Sequence, residues 1–143
     1  MPPEVAVDPW VRYAVTRSLG GCPEESAIRA LIELSRDQDF EVRNWATFGL
    51  GSLTEADSKE IRQALADRLS ESNEEIRGEA LVGLVERHDQ RAIVPLIREL
   101  NQWRSNPLIK DCADKLTEDQ KSFEAEWQPV YEELGKVGLK PTR

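Results

Sequence analysis

The chain has 143 residues, of which 39% are hydrophobic and 32% charged, and it carries a net charge of −8. That length suits one compact domain, and the balance is globular rather than disordered. The acidic excess argues against a nucleic-acid ligand, whose affinity comes from cations that neutralise phosphates, and no apolar run approaches the ~20 residues that cross a bilayer. The N-terminal MPPEVAV lacks the basic start and long apolar stretch of a signal peptide. Cys22 and Cys112 lie far apart with no metal or redox spacing, which predicts two reduced thiols in a cytoplasmic protein.

In chain order, Asp8 and Pro9 form the cap-and-proline start of a first helix that runs through VRYAVTRSLG (11–20). SAIRALIELSRD (26–37) has apolar residues at 3.6-residue spacing and reads as the second. Asp39 caps the third, VRNWATFGLG (42–51). SKEIRQALADRLSES (58–72) follows, with Asp57 as its expected cap, and then Asn73 caps IRGEALVGLV (76–85). RAIVPLIRELNQW (91–103), expected to start from Asp89, precedes Asn106-Pro107 and IKDCADKL (109–116). Thr117 and Gln120 have capping-box spacing for a last helix with a Phe123, Trp127, Val130, Leu134 stripe, which Pro129 should kink or split. The end, GKVGLKPTR, reads as frayed.

Four of these segments are copies of one another. VRYAVTRSLG overlies VRNWATFGLG at Val, Arg, Thr, Leu and Gly, and the branched residues Val11, Val42, Ile76 and Ile109 recur every 31 to 34 residues. Self-similarity at this period marks a solenoid. We term the four copies B helices and the segments between them A helices. Gly49 and Gly83 share one repeat position, held by Ser18 in the first copy. A mid-helix glycine costs about 1 kcal/mol relative to alanine, so its recurrence predicts a close helix–helix approach.

The pattern D-x-x-V-R-x-x-A-x-x-x-L-G, with RHDQRAIVPLIREL (87–100), resembles the HEAT family, specifically its short bacterial lyase-type repeats, over about residues 8–117. The resemblance implies an all-α solenoid of HEAT-like hairpins: an orphan first helix, three hairpins and a C-terminal capping helix. One domain, 1–143, would hold repeats at about 8–21, 24–53, 57–87 and 89–117, with a helical cap at 118–135. Asp8/Arg12, Asp39/Arg43, Asn73/Arg77 and Asn106/Lys110 share an i,i+4 spacing that favours a pair on one helix. The family's ladder further implies that each cation bridges to the turn of the neighbouring repeat, the alternative being an anion-binding arginine row.

Catalytic arrangements are scarce. His88 is the only histidine and stands at the end of a B helix, where a cation complements the helix dipole. No phosphate-cradling glycine loop or Ca²⁺ loop occurs, so the reading is non-catalytic, with no metal and no cofactor. In HEAT arrays the B helices line the concave surface. With Val42, Ala46, Leu50 and Leu53 as the packing stripe, the other side carries Glu41, Asn44, Trp45 and Phe48. Equivalent positions are Trp10, Tyr13 and Arg17 in the first copy, then Glu75, Gly78, Glu79, Val82 and Glu86 in the third. The fourth offers Leu108, Asp111 and Lys115.

This groove is aromatic at one end and acidic further along, which suits binding of another protein, and a basic one would be attracted. Alternatively, Trp10, Trp45 and Phe48 are partly buried under a first helix that lacks a partner. The last helix either caps the core or docks a partner. Besides a protein-binding scaffold, two classes stand open. One is an acidic inhibitor or immunity-type protein masking a basic surface such as a nuclease cleft. The other is enzymatic: a lyase-type subunit, which needs a pigment-binding partner, or a DNA glycosylase, which needs a basic groove.

Overall fold

The computed structural model describes residues 8–118 and 125–139, so the MPPEVAV segment, Gln120, Phe123 and the last four residues lie outside it. Among the described residues the protein consists of helices and connecting turns, with no strand. Eight α-helices follow in order: α1 (Pro9–Leu19), α2 (Glu25–Leu34), α3 (Phe40–Phe48), α4 (Lys59–Asp67), α5 (Glu74–Glu86), α6 (Ile93–Glu99), α7 (Pro107–Glu118) and α8 (Gln128–Lys136). The B helices α1, α3, α5 and α7 stack on one another in sequence, and α2, α4 and α6 are the A helices of three hairpins.

Each B helix starts where its cap places it. Asp8 Oδ1 accepts from Trp10 N–H, Asp39 Oδ1 from Glu41 and Val42, Asn73 Oδ1 from Glu75 and Ile76, and Asn106 Oδ1 from Leu108. These bonds satisfy donors that no preceding turn can reach. The A helices are shorter than their apolar periodicity suggests. α2 stops at Leu34, α4 tightens into a 3₁₀ turn at Arg68–Ser70, and α6 has such turns at both ends. Asp89 caps as expected. Asp57 does not: Ser58 Oγ takes the Ile61 N–H, while Asp57 binds Arg62 through two N–H groups.

The core lies between the two layers. Val42, Ile76 and Ile109 are fully buried, as are Ala46, Leu50, Leu81 and Leu84. Val11, the first member of the branched series, is 53% exposed, since among the described residues no A helix lies before α1 to cover it. Leu53, expected in the stripe, is exposed as well. It lies on the π-helical turn Gly49–Leu53 that ends α3, and its Cδ1 leans over Gly20. The matched threonines are buried, each returning its hydroxyl to the carbonyl four residues back: Thr16 to Arg12 and Thr47 to Arg43.

Glycines let the B helices close on one another, with partners offset by one repeat. A Cβ on Gly83 would lie 2.6 Å from Gly51 Cα, and one on Gly49 would lie 3.7 Å from Gly20 Cα. The close approach expected at the shared Gly49/Gly83 position is thus made at Gly83, against the terminal glycine of the preceding copy, whereas a Cβ on Gly49 would meet only ordinary contacts.

The arginines form a row, but the i,i+4 partners read from sequence are not theirs. Asp8, Asp39, Asn73 and Asn106 are occupied as caps. Arg12 instead pairs with Asp37 through both Nε (2.8 Å) and Nη2 (3.0 Å). Arg43 binds Glu71 at 3.0 Å while its Nη1 donates to the Asp37 and Gln38 carbonyls. Arg77 repeats this with Glu99 and the Glu71 and Ser72 carbonyls. Each guanidinium therefore reaches an acid of the following repeat, and those of Arg43 and Arg77 also tie in the carbonyls of their own turn. Lys110 breaks the series, pairing with Asp114 one turn along α7. At Asp37, desolvation raises the pKa, but the Arg12 fork and the Asp39 N–H outweigh it and hold the carboxyl below its usual range. Arg43→Ala should lower stability by about 2 kcal/mol, since Glu71 and two turn carbonyls lose half-buried donors. A urea midpoint matching the wild type would show that the row contributes little.

The C-terminal helix covers one edge of the core. Trp127, Val130 and Leu134 are buried, and α8 packs against α6. Pro129 does not kink α8; it sits in the first turn, where its missing N–H costs nothing. The segment after α8, expected to fray, is tied as far as Leu139: Trp103 Nε1–H donates to the Val137 carbonyl at 3.1 Å and Leu139 N–H to Leu134.

Candidate functional site

Four rings run across α1 and α3 in an unbroken series. Trp10 meets Tyr13 edge to face at 6.0 Å, Tyr13 meets Trp45 at 6.2 Å, and Trp45 meets Phe48 at 5.4 Å, each nearly perpendicular. Helical spacing within α1 and α3, and the stacking of the two helices, put these side chains on one line. Edge-to-face contact is the arrangement that ring quadrupoles favour. Arg17 lies across this line, its Cζ 4.8 Å from the Trp45 ring centroid, where a guanidinium is attracted to the ring face. Trp10 is 77% exposed and so not covered by the fold, whereas Trp45 and Phe48 are half-buried, as partial burial would have them; Tyr13 is half-buried too.

Next to the rings the surface turns acidic. Asn44, Trp45, Phe48, Glu75 and Glu79 line a hollow of about 240 Å³ between α3 and α5. Glu75 and Glu79 also line a second hollow of about 400 Å³, closed on its other side by Ser105, Asn106, Pro107 and Leu108 at the start of α7. Glu41, Glu75, Glu86 and Asp111 are exposed as expected.

Glu79 and Val82 are not the open groove positions that the repeat alignment predicts. Both are buried, Glu79 to 7% exposure, because α5 is held between α3 and α7. Gly78 permits this, since a Cβ there would come within 2.8 Å of Leu108. Burial, with Glu75 and then Asp111 adding repulsion, pushes the Glu79 carboxyl up to about 7. Glu86 is half-engaged, in an ion pair with Lys115.

A further site was missed from the sequence. Arg87 is almost wholly buried and donates to five carbonyls: Gly51 and Gly83 from Nη1, and Leu50, Thr54 and Ala56 from Nη2, at 2.8–3.2 Å. It thereby holds the π-helical turn at the end of α3. His88, next in sequence, has φ 54 and ends α5, with Asp89 N–H returning to the Leu84 carbonyl. Arg87 has no counterpart in the other copies, which carry Cys22 and Leu53 at equivalent places, so periodicity gives no hint of it. The acids of the arginine row did leave a signal: Asp37 and Glu71 each stand two residues before a cap.

Among the described residues, no group of three His, Cys, Asp or Glu side chains is placed to hold a metal, and no helix is long and apolar enough to cross a membrane. The site is thus a line of rings beside buried and exposed carboxylates on stacked B helices.

Stacked helical hairpins with their B helices side by side define an α-solenoid. The chain belongs to the HEAT-repeat family: the family model for HEAT repeats matches residues 5–84. It is 35% identical over 92 residues to Protein YibA of Escherichia coli, in both strain K12 and O157:H7. That match covers 64% of this chain and 32% of the relatives, so the chain spans about a third of the length of the curated relatives it matches. Helical repeat scaffolds of this type often serve protein interaction.

Proposed function

We propose that this protein binds another protein, without catalysing a reaction, through the B-helix face formed by α1, α3 and α5. The observation that carries the reading is the ring series Trp10–Tyr13–Trp45–Phe48 left open beside Glu75 and Glu79. Exposed aromatics bury much surface at little entropic cost and are enriched in binding hot spots. The net charge of −8 and the carboxylates beyond the rings favour a basic partner surface and disfavour nucleic acid. Trp45 and Phe48 would supply affinity, while exposed Glu75, Glu86 and Asp111 would steer association.

The test compares proteins retained by the tagged wild type with those retained by a Trp45→Ala, Phe48→Ala double variant of unchanged melting temperature. A partner held by the first and not the second is then purified. Its affinity should fall by about 2 kcal/mol for Trp45→Ala alone, chiefly through faster dissociation. Equal binding by the folded double variant would place the partner elsewhere on the solenoid.

A further inference from the structure

The hollow between α3 and α5 contains polar groups that the fold leaves unsatisfied. Glu79 is 7% exposed as a residue, its carboxyl opens only onto this hollow and its neighbour, and it makes no hydrogen bond or ion pair among the described residues. Carboxylates on buried residues are ordinarily paired, and this one faces the hollow without a partner. In the same hollow, Asn44 Oδ1 is buried and accepts no hydrogen bond. Both groups are acceptors, as is the neighbouring Glu75, and Trp45 and Phe48 complete the wall. The hollow is smaller than the roughly 300–1,000 Å³ of a drug-sized ligand pocket, so its scale is that of one side chain.

Three acceptors, two of them carboxylates, beside two rings match a cation rich in donors. A guanidinium has five N–H groups in a plane and stacks on aromatic faces, whereas an ammonium is a strongly hydrated point charge. The chain already displays half of this chemistry, in Arg17 stacked on Trp45. We infer that the hollow receives the side chain of an arginine from the partner protein, its guanidinium donating to Glu79, Glu75 and Asn44 Oδ1 against the Trp45–Phe48 wall. The inference rests on the reading of this face as a protein-binding surface and names the chemistry at its centre.

It carries a pH dependence whose sign is fixed. The charged groups facing Glu79 are Glu75 on α5 itself and Asp111 on α7. From α3 it meets Asn44, Trp45 and Phe48, with Arg17 of α1 lying across Trp45, while Lys115 on α7 is engaged by Glu86. The carboxyl, held near 7, is protonated below that pH and then neither attracts a cation nor accepts from it with both oxygens. A guanidinium must therefore expel the proton to bind, and affinity rises with pH. If only the ionised form binds, the gain from pH 6 to pH 8 is about tenfold. Without ligand the sign for folding is opposite. A carboxyl with a raised pKa stabilises the fold at low pH, and that contribution is lost as pH rises from about 4.5 to 7.

The probe is N-acetyl-arginine methylamide, titrated into the full chain labelled with ¹³C at the glutamate carboxyls and ¹⁵N at the indoles. The Glu79 carboxyl and Trp45 indole signals should move together. The apparent Glu79 pKa should fall in the presence of the probe, and the dissociation constant should tighten about tenfold from pH 6 to pH 8. The lysine analogue should bind several-fold more weakly. Glu79→Gln, which keeps the shape, should remove the pH dependence. Shifts confined to other residues, an unmoved Glu79 pKa, or equal binding of the lysine analogue would each overturn the assignment, and the first two need no variant. A protein partner lost by Trp45→Ala yet bound normally by Glu79→Gln would likewise overturn the arginine while leaving the binding face standing. A partner indifferent to both would remove the face itself.

Discussion

Arg87→Ala is expected to cost about 3 kcal/mol or more of folding stability, although the residue does not line the proposed binding hollow. Its side chain is 5% exposed and supplies donors to five carbonyls, three of them on or just before the π-helical turn Gly49–Leu53 and its exit at Thr54. A π turn shifts backbone hydrogen bonding by one residue, here with Thr54 N–H returning to Gly49, and leaves carbonyls pointing away from the helix. Each buried acceptor left without a donor costs about 1–3 kcal/mol, part of which entering water would recover.

The charge itself is under strain of environment. Burial lowers the Arg87 pKa, opposed first by Asp57, whose carboxylate stands 3.7 Å from Nε. The residue therefore contributes through donors more than through an ion pair. Arg87→Lys should recover only part of the loss, since three donors on one nitrogen cannot reach carbonyls fanned across both guanidinium nitrogens. The measurement is urea denaturation, with the midpoint lowered and the slope unchanged. A loss under about 1 kcal/mol would show that water replaces the guanidinium readily.

What was legible in the sequence divides along the range of the interaction. The caps at Asp8, Asp39, Asn73 and Asn106 act on donors two or three residues away, so sequence alone locates them. The 31-to-34-residue period likewise reports which residues face the core, and Val42, Ile76 and Ile109 are buried as one position. Ladder partners depend instead on which acid a neighbouring turn brings opposite an arginine. A local pairing rule therefore selected Asp39, when Asp39 was already committed to Glu41 and Val42 and Glu71 stood across the repeat.

Glu79 illustrates a different limit. Its repeat position corresponds to none of the core stripe, and a helix covered on one side would have left it in solvent. α5 is covered on two sides, and the determinant is a neighbour's shape: Gly78 admits Leu108. The aromatic line was legible as a set, since Trp10, Tyr13, Trp45 and Phe48 share a face by spacing alone. Their mutual contacts follow once α1 stacks on α3.

Gly83→Ala should destabilise the protein by about 3 kcal/mol, reversing the usual effect of that substitution in a helix. Alanine is ordinarily favoured over glycine at a helix interior by about 1 kcal/mol. At Gly83 the added Cβ would stand 2.6 Å from Gly51 Cα and 2.9 Å from Leu65 Cδ1. A leucine methyl can rotate away; a backbone Cα cannot move without displacing the π turn that Arg87 holds. Overpacking alone costs about 1–3 kcal/mol, and disturbed carbonyl geometry adds to it. Gly135→Ala is the internal control, being helical in α8 with nothing within 4 Å of a new Cβ, and should stabilise by up to about 1 kcal/mol. Because Gly83 and Arg87 act on the same turn, their losses should not add. In a double-mutant cycle, Gly83→Ala with Arg87→Ala should cost less than the two single changes summed, by more than the ~0.5 kcal/mol expected of independent sites. Strict additivity would mean that the glycine contact and the guanidinium hold the two B helices together independently.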